Sequence, residues 1–343
     1  MKDKVRIEYI DIMRIVAIFF VIVLHVSANN LLKYDINTFN WNVLNIYNSM
    51  SRWTVPVFVM ISGALFLSKE SNIKKLYTKN IFRIVTAFLV WAIIYAVLFE
   101  ENLDIKTIIV KMISGHYHMW FLPLIIGLYM LVPVLKKVVS DEKIMKYFLL
   151  LTLIITFIVP QILNLMSDMQ SAEVSKIVDL FKTNWINNMG LKFGYTGYFV
   201  LGYYLSKIEL SKKARRIIYF LGIIGLLLTI GLTIFSSNIY SVWIQKYYDN
   251  CTVNVLLEAI AIFVFFKYNF VENKAIQNIS KCTFGIYLVH VLIIEKFGKI
   301  FMFNVSNFNP IFSVPVVCTI VFGTSLLISF ILNKVPILKK YIV

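Results

Sequence analysis

Three polar side chains stand in the first apolar stretch of the chain, residues 10–28: Asp11, Arg14 and His25. At ~100° per residue, the eleven steps from Arg14 to His25 return to within ~20° of one direction, about 16 Å along a helix axis. Both therefore belong to one face, three turns apart. Asp11 stands one turn before Arg14, at the spacing of an i,i+3 ion pair. A charged group at membrane depth costs at least ~2.5 kcal/mol, so such groups face a protein interior or a watery cavity. A neutral imidazole is a base near neutral pH, which is what a poorly nucleophilic alcohol needs. Guanidinium and ammonium groups suit the phosphates of a nucleotide-tailed acyl thioester. One helix presenting a basic group inward and an imidazole outward can therefore serve the acylation of a hydroxyl. A proton-coupled transporter would use similar residues, so spacing alone leaves both readings open.

The remaining candidates follow from the same test of polar groups in apolar stretches. The sequence holds four histidines. His290 falls near mid-depth of a late apolar segment, and His116 and His118 bracket the outer start of another, just before Trp120. Arg52 and Glu258 are further intramembrane charges. Lys192 and Glu295, near span ends, fit packing pairs or side chains reaching for the interface. Cys251, Cys282 and Cys318 sit in or beside apolar segments as small hydrophobes, with no disulfide framework, CxxC or zinc spacing. No metal is expected.

These groups must be positioned by membrane helices. Hydrophobic residues make up 59% of the chain and charged ones 15%, and mean hydropathy is +0.77, beyond an ordinary soluble domain of 343 residues. Ten apolar runs approach the ~20 residues of a spanning helix: roughly 8–28, 43–67, 81–99, 119–136, 147–164, 190–206, 217–236, 251–266, 282–296 and 311–332. The expected class is an all-α bundle of about ten transmembrane helices, one membrane domain with no appended soluble domain. The net charge of +16 reflects topology, because the basic residues cluster between apolar runs without an aromatic-interleaved nucleic-acid motif. Alternate segments hold 23 and 8 Lys and Arg residues, which places both termini in the cytoplasm by the positive-inside rule. Asp11 and Arg14 inside the first run argue against a cleaved signal peptide. Residues 100–118 and 165–189 are the longest outer loops.

Several motifs carry a family resemblance. Tyr9-Ile10-Asp11-Ile12-Met13-Arg14-Ile15-Val16-Ala17, followed by His25, resembles the first helix of the integral-membrane acyltransferase family 3, with its arginine and histidine ten residues apart. Ser51-Arg52-Trp53-Thr54-Val55-Pro56-Val57-Phe58-Val59-Met60-Ile61-Ser62-Gly63 is similar to that family's second helix. His118-Met119-Trp120-Phe121-Leu122-Pro123, then Gly197-Tyr198-Phe199-Val200-Leu201-Gly202-Tyr203, then Ser280-Lys281-Cys282-Thr283-Phe284-Gly285-Ile286-Tyr287-Leu288-Val289-His290, complete the series in the expected order. The second-helix motif and the fourth-helix motif His118–Pro123 look most like the branch of the enterobacterial common-antigen O-acetyltransferase and the membrane domain of vancomycin-resistance serine racemases. Where the family often has two arginines three apart after the second helix, this chain has Asn80 and Arg83, with Lys79 beside them.

The resemblance implies an O-acyltransferase of the bacterial cell membrane that moves an acyl group, most simply acetyl from acetyl-CoA, to a hydroxyl of a lipid-linked or surface glycan. It implies that His25, Arg14 and Asp11 are catalytic, with His25 as base or as acyl carrier, and that Arg14, Lys79 and Arg83 hold the donor. Arg52, Glu258, His118, Trp120, Tyr287 and His290 are expected in the polar cavity or on the acceptor side. Pro56, Ser62 and Gly63 are expected to shape their helix rather than react. The alternatives are a proton-coupled small-molecule transporter and a non-catalytic membrane interaction module. No paired interrupted helices in matching halves point to a transporter repeat.

Overall fold

The computed structural model describes residues 8–69, 72–100, 104–168, 171–186, 193–270, 274–297, 305 and 308–342. No strand occurs among them. Eight helical stretches are long and apolar enough to cross a membrane: Tyr9–Leu31, Phe39–Leu67, Ile73–Phe99, Tyr117–Ser140, Glu142–Asp168, Lys212–Tyr240, Lys246–Asn269 and Pro310–Lys334. This is the all-α polytopic class that the apolar runs imply. The other two expected spans, 190–206 and 282–296, appear as shorter helices, Gly194–Lys207 and Thr283–Leu292. Their flanks at 187–192 and 298–304 lie outside the described residues, as do Lys2, Lys4, Arg6, Lys192 and Lys299.

The chain divides into two compact units, each assembled from separated segments. The first comprises residues 1–26, 69–134 and 270–343. It holds most of helix α1 (Glu8–Leu31), then α5 (Phe82–Phe99), which follows the short α4 (Ile73–Lys75) and a π-helical stretch Leu76–Ile81. The expected loop at 100–118 contains a helix instead, α6 (Ile105–Ser114), started by Asp104, whose side chain accepts the Thr107 amide. Gly115 ends α6 with φ +67, a conformation open to glycine at no steric cost. The next residue, His116, precedes a 3₁₀ turn, Tyr117–Trp120, that leads into α7 (Phe121–Ser140).

The carboxy-terminal part of this unit is α14 (Lys274–Ser280), α15 (Thr283–Leu292), a π-helical turn Ile293–Phe297, α16 (Pro310–Lys334) and α17 (Pro336–Tyr341). Helix α17 is tied to α5, where Thr86 and Trp91 donate to the carbonyls of Tyr341 and Ile342 at 2.9 and 3.1 Å.

The second unit comprises residues 27–68 and 135–269. Its helices are α2 (Phe39–Ser49), α3 (Thr54–Leu67), α8 (Glu142–Thr152), α9 (Val159–Asp168), α10 (Ala172–Phe181), α11 (Gly194–Lys207), α12 (Lys212–Tyr240) and α13 (Val253–Asn269). Helix α10 occupies part of the other expected loop, 165–189. The Phe39–Leu67 span is interrupted at residues 50–53, where Trp53 Nε1 donates to Met50 O at 2.7 Å. Pro56 then falls in the first turn of α3, where its missing amide costs nothing. Helices α3 and α11 meet backbone to backbone. A Cβ on Gly63 would lie 1.7 Å from Phe199 O, and one on Gly202 would lie 2.0 Å from Met60 O. Small residues allow such close approach where lipid supplies no hydrophobic drive for helix association. Ser62 bonds its own helix at Phe58 O, 3.0 Å away. Pro56, Ser62 and Gly63 are thus occupied in shaping and packing α3.

Candidate active site

The polar face of α1 begins with its expected ion pair. Arg14 Nη1 lies 3.8 Å from Asp11 Oδ1, the carboxylate 5% and the guanidinium side chain 32% exposed. Ser280 Oγ donates to the same Asp11 oxygen at 2.5 Å. A carboxylate removed from water needs such partners. Ser280 opens the last of the recognised motifs, and His290, which closes it, has its ring centroid 5.2 Å from that of His25. One motif thus touches both ends of the α1 polar face.

From His25 the imidazoles continue. His290 lies 5.4 Å from His118, and His118 lies 5.2 Å from His116, centroid to centroid. All four histidines of the sequence therefore form one chain of neighbouring rings within the first unit. Aromatic side chains hold it in place. Tyr95 stacks on His116 at 4.4 Å and 23° and meets His118 edge-on at 5.0 Å. Tyr117 lies 5.7 Å from His25 and 4.7 Å from His116. Tyr287 Oη donates to the His118 carbonyl at 2.6 Å, which fixes the backbone that carries the ring.

Two nitrogens in this row stand out. His290 Nδ1 lies 2.7 Å from Tyr287 O. A carbonyl only accepts, so this nitrogen carries the proton and Nε2 keeps its lone pair. The ring is fully buried, and Nε2 has no hydrogen-bond partner among the described residues. His118, 2% exposed, also has a buried Nε2 without such a partner. Buried polar atoms are almost always paired, so two orphans one ring apart mark a place where a substrate or water belongs.

Beyond His116 the array opens on a cavity of about 230 Å³ lined by Tyr95, Phe99, Glu100, Lys111, His116 and Tyr117, among others. Glu100 and Lys111 pair at 2.5 Å. Glu295 Oε2 lies 3.7 Å from His116 Nε2. Burial first, and then the charge of Lys111, hold the His116 imidazole down at about 4 against the opposing pull of Glu100, so the ring is neutral at pH 7.

The donor-side candidates occupy the same unit. Lys79 is exposed in the π-helical stretch ahead of α5, and Arg83, also exposed, lies with its guanidinium carbon 5.5 Å from the Phe284 ring. Trp120 is 45% exposed and packs edge-on against Phe121 rather than joining the row of imidazoles.

Arg52 and Glu258 belong to the second unit, in a polar network of its own. The Arg52 guanidinium donates to Asn48 Oδ1 and lies 4.0 Å over the Tyr248 ring. Tyr248 in turn donates to Asn45. Glu258, 4% exposed, accepts from Thr229 at 2.5 Å, and Asn254 donates to both Thr229 and Tyr247 O at 2.8 Å. A second buried carboxylate, Asp168, takes bonds from Lys246, Tyr247 and Ser236.

Sequence reasoning named His25, His118, Tyr287 and His290, and the structure brings these together. It missed Tyr95, gave His116 no role and took Glu295 for a packing group. The usable signal was the His116–His118 spacing; Tyr95 carried none, being one tyrosine among nineteen. Among the described residues, no group of three or more His, Cys, Asp or Glu is arranged to hold a metal ion.

Helices long and apolar enough to cross a membrane, with this row of imidazoles on one of them and its neighbours, make up an integral-membrane protein with a polar site. The model of the acyltransferase 3 family, described as an acyltransferase domain, matches residues 7–334, and the chain belongs to that family. It is a membrane acyltransferase. No curated protein and no solved structure gives a significant match.

Proposed function

We propose that the protein transfers an acyl group, acetyl in the simplest case, from acyl-CoA on the cytoplasmic side of a bacterial cell membrane to a hydroxyl of a lipid-linked or surface glycan. The spelling of the motifs at 51–63 and 118–123 supports a likeness to the common-antigen O-acetyltransferase branch. The observation that carries this reading is the joining of His25 to the other three histidines in one row, on the helix that also bears the Arg14–Asp11 pair.

Arg14, half-buried, and the exposed Lys79 and Arg83 are suited to the phosphates of the donor, Arg14 by a planar fork and Lys79 as a point charge. A helical rise of ~1.5 Å per residue puts the imidazole about 16 Å from Arg14, toward the opposite face. His25 takes the acyl group: a ring nitrogen attacks the thioester carbonyl, the carbon–sulfur bond breaks, and the sulfur leaves with the electron pair and the proton of the other ring nitrogen. The acylated ring then stands beside His290 and Tyr117, where an acceptor hydroxyl can approach.

The test is reconstitution with labelled acetyl-CoA and a lipid-linked glycan. Wild type should transfer label, His25→Ala should not, and Arg14→Ala should need far more donor. Undiminished transfer by both variants overturns the assignment. Mass spectrometry of surface glycans from a deletion strain identifies acyl group and acceptor together.

A further inference from the structure

His116 Nδ1 and His118 Nδ1 lie 3.0 Å apart. Two neutral imidazoles meet nitrogen to nitrogen at this distance only if one nitrogen carries a proton and the other a lone pair. Glu295 decides which. Its carboxylate lies 3.7 Å from His116 Nε2, within ion-pair range. A proton on that nitrogen faces the negative charge favourably, whereas a lone pair there would oppose it in a setting where charge interactions are only partly screened. His116 is therefore protonated on Nε2 and accepts at Nδ1. His118 must then carry its proton on Nδ1, which leaves Nε2 as the lone pair. That atom is the buried one with no hydrogen-bond partner among the described residues.

The same geometry stabilises the ring once it is protonated. Positive charge on His118 is shared through the Nδ1–Nδ1 bond to His116, whose far nitrogen faces the carboxylate. This is the logic by which an acidic residue orients an imidazole and supports its cation during proton transfer. Tyr95, stacked on His116, and Tyr287, bonded to the His118 carbonyl, keep both rings in register.

We propose that His118 is the base that takes the proton of the acceptor hydroxyl, and that Glu295 and His116 are positioning residues that hold His118 in the tautomer with Nε2 open. This rests on the reading in which His25 carries the acyl group. As the acceptor oxygen bonds to the acyl carbon, its proton passes to His118 Nε2. The bond from that carbon to the His25 nitrogen breaks, its electron pair staying on His25. The departing His25 nitrogen recovers that proton from His118, and His290 is the ring adjacent to both. Ester and neutral His25 result, and no proton is gained or lost.

The small number of histidines makes the test direct. Protein labelled with ¹⁵N-histidine and reconstituted in bilayers should give four ring-nitrogen pairs in solid-state NMR, with the His118 pair assigned by its loss in His118→Asn. Wild type and Glu295→Asp should show His118 protonated on Nδ1; Glu295→Ala should show a mixture of tautomers in the His116–His118 pair. With labelled acetyl-CoA, His118→Asn and His118→Gln should load label on His25 yet pass it on at least ~100-fold more slowly, with the donor kcat/KM unchanged. Wild-type His118 protonated on Nε2, or wild-type turnover by both His118 variants, overturns the proposal. Slow transfer by these variants with no label on His25 in any protein keeps His118 as the base and discards His25 as the carrier.

Discussion

The hydroxyl of Tyr95 accepts the amide of Leu292 at 3.0 Å while donating to the carbonyl of Leu288 at 2.9 Å. Those two backbone groups are ones a regular α-helix would pair with each other. A side chain inserted in the ladder at this point accounts for the change from α15 to the π-helical turn 293–297. That turn carries Glu295 toward His116. Tyr95→Phe should cost about 1 kcal/mol, because the ladder can close on itself. Tyr95→Ala should cost about 3 kcal/mol or more by leaving a hole under His116. Thermal unfolding in detergent, read alongside acyl transfer, checks this: equal losses for the two variants would show that the hydroxyl rather than the ring supports the site.

The α3–α11 contact gives a second expectation. Gly63→Ala places a methyl against the fixed backbone oxygen of Phe199, which cannot rotate away, and should destabilise by about 1–3 kcal/mol or more. Gly231→Ala in α12, where a Cβ meets nothing within 4 Å, should be neutral or gain up to about 1 kcal/mol of helix propensity. Unfolding temperatures of the two variants, compared by size-exclusion monodispersity after heating, separate packing from propensity. Similar behaviour of the two would refute the close approach.

Apolar run length made the helical class legible, because a membrane helix announces itself by composition alone. The Asp11–Arg14 pair was legible for the same reason: both residues share one helix, so spacing fixes their geometry. The array of imidazoles was legible only in part. His25, His118 and His290 could be named as anomalies in apolar stretches, but their adjacency joins residues 172 and 265 positions apart, and periodicity says nothing about that. Tyr95 was hidden by its type, since tyrosine is unremarkable in a membrane helix. Glu295 looked like an interfacial group because its role depends on a π-helical turn created by a hydroxyl from another helix. The loops at 100–118 and 165–189 concealed short helices, which fall below the length that marks a span.

Asp11 should act on the donor through Arg14. The pair is 3.8 Å apart and the arginine partly exposed, so its worth is at most about 1 kcal/mol. Asp11→Asn should therefore raise the donor KM by up to about fivefold and leave kcat nearly unchanged. Ser280→Ala, which removes one bond to the same carboxylate oxygen, should move KM in the same direction by less. A fall in kcat at unchanged KM in both variants would mean that Asp11 works on the acyl transfer itself and not on donor binding.

His116 links the array to pH. Burial, then the nearby charge of Lys111, push its imidazole down to about 4, with Glu100 opposing. An unfolded histidine titrates near ~6.5, so as pH falls the unfolded chain takes up this proton first. Above about 6.5 the ring is neutral in both states and stability does not depend on it; between about 6.5 and 4 it removes stability progressively, by about 3 kcal/mol at most. His116→Gln should flatten that part of the stability curve in detergent denaturation between pH 4 and 7. Lys111→Met, which removes the second cause and also frees Glu100, should bring the folded titration closer to 6.5 and shrink the loss. An identical slope in wild type and His116→Gln would place the acid sensitivity elsewhere. An increased slope in Lys111→Met would mean that the Glu100–Lys111 pair, rather than the imidazole, governs it.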